Sequence, residues 1–272
     1  MLVKKLFFSL SIAAFAILFS CNDSVPPSNS LLVDSSETES DLQKTAVKVP
    51  SPIELYIFMY NADAKYAKEN LNSIDNHSKY ISKHKKALNL GIYASDLAYC
   101  TVFKQNKETF SYFSVTKKMA DELGLTEGFD EKIVKRIDQN MSNSDSLYQI
   151  SNDSYATAVR FLEQQGKEDL LPLMVTGAWI ESVNLAIKSV PKFDANNEIV
   201  VRIADQGLLL ENILELFQYV KDDPEFKEIM DKLLDLQQSY DKLLDNTDVA
   251  ITQKQYEEIV MKVKAIRALF IA

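Results

Sequence analysis

The residues in this chain with a chemical claim are the charged and polar side chains that interrupt otherwise apolar runs. Asp96 breaks the run 87–103, ALNLGIYASDLAYCTVF; Glu181 and Asn184 break the run 173–190; Arg202, Asp205 and Gln206 fall near the seam of a third predicted helix. A buried ion with no partner is costly enough that such groups must pair or give up their charge. Two arrangements satisfy that requirement. In the simpler one, Arg202 pairs with Asp96 or Glu181 and the resulting network fixes the register of three helices. In the sharper one, the same groups, with Tyr93, Tyr99 and Trp179, line a pocket for a small molecule.

Other chemistry finds little support. His77 and His84 stand seven residues apart with no Glu-x-x-His or His-x-x-x-His spacing, so they read as surface or interfacial histidines and no metal site is expected. There is no glycine-rich phosphate loop and no Gly-x-Ser-x-Gly elbow, hence no expected cofactor and no assigned catalytic residue. Cys100 lies inside an apolar run and reads as a small buried hydrophobe.

These side chains need helices to position them. The run around Tyr93 is apolar on nearly every side, with Ala87, Gly91, Ala94 and Ala98 recurring as a stripe of small residues. Asn89, Ser95 and Asp96 keep it short of the ~20 apolar residues of a membrane span, so it reads as the central helix of a large core. The run 173–190, with Gly177 and Trp179, is a second mostly buried helix and the expected partner of that stripe.

The first twenty residues have the pattern of a targeting segment: Lys4 and Lys5, an apolar centre from Leu6 to Phe19, then Leu18-Phe19-Ser20-Cys21. That tetrapeptide resembles the bacterial lipobox, which implies lipid attachment at Cys21; Asn22 in the next position, where Asp favours inner-membrane retention, implies the outer membrane. Residues 21–50 are rich in Ser, Pro and acidic side chains without apolar periodicity, the composition of a disordered tether. Fully extended, the stretch after Cys21 reaches about 100 Å. The formal charge of −9 and a pI near 4.9 argue against nucleic acid and against an electrostatic hold on anionic lipid. The membrane contact is therefore expected through lipid alone.

Residues 51–272 are expected to form one all-α domain, an irregular bundle of eight to ten helices built from stacked antiparallel hairpins. Six glycines in the whole chain leave little scope for tight turns. Ser51-Pro52-Ile53-Glu54 has the form of a capping box, opening a helix to about Met59. Residues 63–76 read as a broken helix or loop. The central helix is expected from about 76–78 to Gln105, carrying Lys79, Lys83, Lys85 and Lys86 on a solvated basic face. A helix through Phe110 and Leu123 ends at Gly124, a short one begins near Asp130, and another ends at Gly166. Ile199, Arg202, Gln206, Leu209, Ile213, Leu216 and Val220 make one heptad seam. Residues 222–225 form a capping signal before Phe226, and Thr252 with Gln255 caps a last helix through Phe270.

Four segments, PSPIEL, SKHKKALNLGIYASDLAYC, GAWIESVNLA and EIVVRIADQ, resemble a family of uncharacterised helical lipoproteins of Gram-negative bacteria. The resemblance implies an all-helical body and an envelope address, and no activity. Two functional classes follow: a lipid-tethered helical protein that docks another envelope protein, or a small-molecule binding protein built on Asp96, Glu181 and Arg202. An enzyme ranks behind both.

Overall fold

Two helices without a solvent face are stable in water only if other elements cover them, and in the computed structural model they first cover each other. The structure describes residues 51–125, 160–218 and 226–272, with scattered positions between 132 and 158. The predicted leader, Cys21 and the tether lie outside the described residues. So do the short helix expected near Asp130, the residue Val220 and the capping signal at 222–225.

The protein is an all-α multi-helix bundle. Eight α-helices have defined bounds among the described residues: α1 Ile53–Asn61, α2 Lys83–Val102, α3 Asn106–Glu122, α4 Leu171–Ser189, α5 Glu198–Ala204, α6 Gly207–Phe217, α7 Lys227–Asp241 and α8 Gln253–Ile271. The helices α2 and α4 are the two apolar runs, and they form the most extensive packing in the bundle. Glycine makes that closeness possible. A Cβ on Gly91 would stand 2.0 Å from the Met174 carbonyl oxygen, and one on Gly177 would stand 2.0 Å from the Leu88 carbonyl oxygen. Backbone meets backbone at this crossing.

The two helices run in the same direction. Lys83 at the start of α2 reaches Asp169, just ahead of α4, at 2.7 Å, and the Asp96 and Glu181 carboxyls meet further along both helices. By length and composition the stretch Glu168–Ser189 is apolar enough to cross a membrane, but 89% of its apolar window is buried inside the protein. It serves as a core element, and the surrounding helices supply its apolar environment.

The other helices pack around this pair. The helices α1, α3 and α8 contact α2; α1, α5, α6 and α8 contact α4; α7 closes the far side between α6 and α8. The direction of α8 is opposite to that of α2, since Asn89 Nδ2 donates to the Phe270 carbonyl (2.8 Å) and Lys85 Nζ to the Ala272 carbonyl (3.1 Å). Tyr256, Ile259, Val263, Ile266 and Phe270 all face inward from α8, at the expected helical spacing. Its N-terminus carries the expected capping box: the Thr252 N–H donates to Gln255 Oε1 (2.9 Å) and the Gln255 N–H to Thr252 Oγ1 (3.4 Å). Gly124 and Gly166 both adopt positive φ (68° and 61°), the left-handed backbone that stops the helices before them.

Several local expectations change. The central helix starts at Lys83 rather than near 76–78, because residues 74–79 tighten into a 3₁₀ turn and the Ser82 hydroxyl accepts from the Lys85 N–H to begin the α-helix afresh. The basic cluster is solvated as expected, with Lys79, Lys83 and Lys85 exposed, and it also pairs with neighbouring elements: Lys83 with Asp169 (2.7 Å) and Lys86 with Glu122 (2.7 Å). Ser51 and Glu54 do not form a reciprocal box, since Pro52 occupies the cap position and Glu54 Oε1 is buried without a hydrogen bond. The expected seam from Ile199 is broken after Ala204, where Asp205 and Gln206 turn the chain between α5 and α6.

Candidate functional site

The segment 62–82, between α1 and α2, contains only short 3₁₀ turns at Lys68–Asn70 and Ile74–Lys79. Irregular backbone pressed against a core must find hydrogen-bond partners among side chains. Here tyrosines supply many of them. Tyr93 Oη donates to the Ser73 carbonyl (2.7 Å) and Tyr112 Oη to the Asn72 carbonyl (2.8 Å), while Tyr99 Oη accepts from the Ala67 N–H (3.1 Å). Asn72 is itself buried, donating from Nδ2 to Tyr80 Oη (3.0 Å) and accepting from Asn76 Nδ2 (2.9 Å). Tyr56 Oη and Ser95 Oγ close the next layer at 2.6 Å.

Beneath this segment lies the charged centre. Glu181 has no solvent exposure and receives both Nε and Nη2 of Arg267, the latter at 2.8 Å on Oε1. The same Nη2 lies 3.3 Å from the Asn70 carbonyl, so the guanidinium joins α8, α4 and the irregular segment. Asp96, also fully buried, accepts the Asn72 N–H on Oδ2 (3.1 Å) and has its carboxyl within hydrogen-bonding reach of Glu181. Burial pushes the Asp96 carboxyl well above the usual range, the neighbouring Glu181 adds to that, and Arg267 offsets part of it. A bidentate pair of this kind gives geometric definition as well as energy.

The structure thus brings together two of the three charged groups expected here and replaces the third. Arg202 does not reach Asp96 or Glu181. Its guanidinium lies over the Phe58 ring, 4.8 Å from the centroid, and makes a long contact of 3.8 Å with Asp205, both side chains being about half exposed. The pairing of Arg202 with Asp96 or Glu181 is therefore corrected to Arg267 with Glu181. Gln206 is buried apart from Asp96, Glu181 and Arg267 and accepts from Trp179 Nε1 at 3.1 Å, tying the α5–α6 turn to α4. Asn184 is buried one turn beyond Glu181, and its Nδ2 has no hydrogen-bond partner. Tyr93 belongs to the layer that holds the segment, as does Tyr99, whose ring stacks on Tyr66 at 5.3 Å.

Arg267 carried no distinguishing signal in the sequence. It sits beside Ile266 on an amphipathic helix among Lys262 and Lys264, and only its long side chain carries the charge inward. The histidines take structural roles. His77 joins the Ile74 carbonyl (2.8 Å) to Lys118 Nζ (2.9 Å), and the His84 ring meets Phe226 at 4.8 Å. Among the described residues no three His, Cys, Asp or Glu side chains are grouped to hold a metal ion. Burial pushes the Cys100 thiol up to about 12, which leaves it protonated and inert.

Chemically, the arrangement holds three helices and one irregular segment in a single register. The pocket expected from Asp96, Glu181 and Arg202 loses its cation to the protein surface, and Glu181 is satisfied from within the fold by Arg267. No protein-family model, curated protein or solved structure matches this chain.

Proposed function

We propose that this protein is anchored to the bacterial outer membrane by lipid on Cys21 and presents its helical body as a protein-interaction or scaffold module. The anchor reading rests on Lys4-Lys5, the apolar centre and Leu18-Phe19-Ser20-Cys21, followed by a polar, proline-containing stretch long enough to hold a body clear of a bilayer. The module reading rests on one observation above others: the most chemically distinctive residues of the core, Glu181 and Arg267, are paired with each other and not directed at solvent. Function then falls to the outer surface. There the α7–α8 hairpin carries Leu234, Leu244 and Met261 exposed, the last at 63%.

Two measurements test the reading. Cys21→Ala should move the protein from the membrane to the soluble fraction and abolish labelling by a fatty-acid analogue; membrane association that survives the substitution contradicts the anchor. A photo-crosslinking side chain at Leu234 or Met261 in living cells should give one discrete adduct that fades when the neighbouring position is changed to lysine. No discrete adduct at either position contradicts the module.

A further inference from the structure

Two carboxyl groups and one guanidinium share a closed site, and their hydrogen bonds do not balance if both acids are ionised. Glu181 takes Arg267 Nε on Oε2 and Nη2 on Oε1. Asp96 takes the Asn72 N–H on Oδ2, but its Oδ1 is buried with no donor. A bare carboxylate oxygen in that position is expensive, and two ionised acids against one Arg267 would leave a net negative charge in the core. A proton on Oδ1 removes both problems, because Glu181 retains lone pairs that accept from it.

We propose that Asp96 is a neutral acid in the folded protein, donating from Oδ1 to Glu181, and that this proton locks the segment 62–82 onto the core so that its loss opens the segment. The surrounding groups fit that state. Arg267 is held by Glu181; Tyr56 of α1, Tyr93, Tyr99 and Cys100 of α2, Tyr112 of α3 and Tyr80 of the segment face the site as neutral groups. Lys188 at the end of α4 is the further cation in its field, and it is exposed. The proton sits where the irregular segment is pinned: Asp96 Oδ2 holds the Asn72 N–H, and Arg267 Nη2 lies at the Asn70 carbonyl.

The sign follows from linkage. The folded protein keeps a proton that an unfolded aspartate releases near pH 3.9, so above that value each opening event that wets Asp96 releases one proton. Opening becomes tenfold more frequent per pH unit until the folded state itself ionises. Asp96→Asn supplies the neutral form permanently: its carbonyl can accept the Asn72 N–H and its amide can donate to Glu181.

The test uses the full chain. In carboxyl-carbon NMR of protein labelled at aspartate, one aspartic acid resonance should sit at the protonated position at pH 7 and be absent from Asp96→Asn. Hydrogen exchange of the Asn72 amide above pH 6 should rise more steeply with pH than ordinary base catalysis in the wild type and lose that excess in Asp96→Asn. Ionised resonances for every aspartate at pH 7 would overturn the proposal. So would an Asp96→Asn protein that fails to fold or exchanges faster than the wild type at every pH, because both mark Asp96 as a required anion.

Discussion

Arg267 closes on both carboxylate oxygens of Glu181 from a helix 86 residues further along the chain, and Glu181 has no exposed surface. Removing one member of a buried pair leaves the other charged and unsolvated, at a cost of about 3–5 kcal/mol. Arg267→Ala and Glu181→Gln should each lose about that much stability in urea unfolding. Arg202→Ala, on a half-exposed side chain, should stay within about 1 kcal/mol of the wild type. A reversed ranking would restore Arg202 to the core network.

The glycine crossing makes an independent prediction. Added methyl groups on Gly91 or Gly177 would meet backbone carbonyls, which cannot rotate aside as a flexible side chain can. Either alanine substitution should force α2 and α4 apart and cost about 3 kcal/mol or more, at the upper end for overpacking. Thermal unfolding checks this: a midpoint for either variant that matches the wild type would contradict backbone contact at the crossing.

The tyrosine hydroxyls should matter locally more than globally. Tyr112→Phe deletes the donor to the Asn72 carbonyl and Tyr93→Phe the donor to the Ser73 carbonyl, leaving the rings in place. Each should cost about 1–2 kcal/mol, since the stranded carbonyl lies against the core. Hydrogen exchange should show the loss as faster exchange in residues 67–76, with α7 unchanged.

The α7–α8 hairpin predicts an acid sensitivity of ordinary sign. Glu258 accepts from Lys242 (2.9 Å) and Ser239 (2.7 Å) and lies 3.4 Å from Lys262, and these contacts lower its carboxyl to about 2. A carboxylate held low in the folded state stabilises above its unfolded value and loses that contribution as pH falls toward the folded one. Stability should therefore decline between about pH 4.5 and 2, and Glu258→Gln should flatten that decline in a pH series of thermal midpoints.

Periodicity made much of the architecture legible. The helix of Tyr256, Ile259, Val263, Ile266 and Phe270 follows from spacing alone, and the small residues Gly91 and Gly177 mark where helices must meet closely. Asp96 and Glu181 stood out because each interrupts an apolar run. Their partner did not. Arg202 and Arg267 both sit beside buried isoleucines on amphipathic helices, and spacing cannot tell which side chain turns inward when both have the reach. The break at Asp205–Gln206 was hidden for a related reason: a heptad pattern continues through a shallow turn whose residues stay right-handed. The late start of α2 depended on Ser82 capping and on Tyr80 packing inward, a choice made by tertiary contacts.

The most direct test of the central claim, that two apolar helices are enclosed by one water-stable body, is amide hydrogen exchange across α2 and α4 in the full chain. Amides around Gly91–Tyr93 and Gly177–Ile180 should exchange only through global unfolding, at the slowest rates in the molecule, with or without detergent micelles. Fast exchange there in buffer, or protection that appears only when detergent is added, would contradict it.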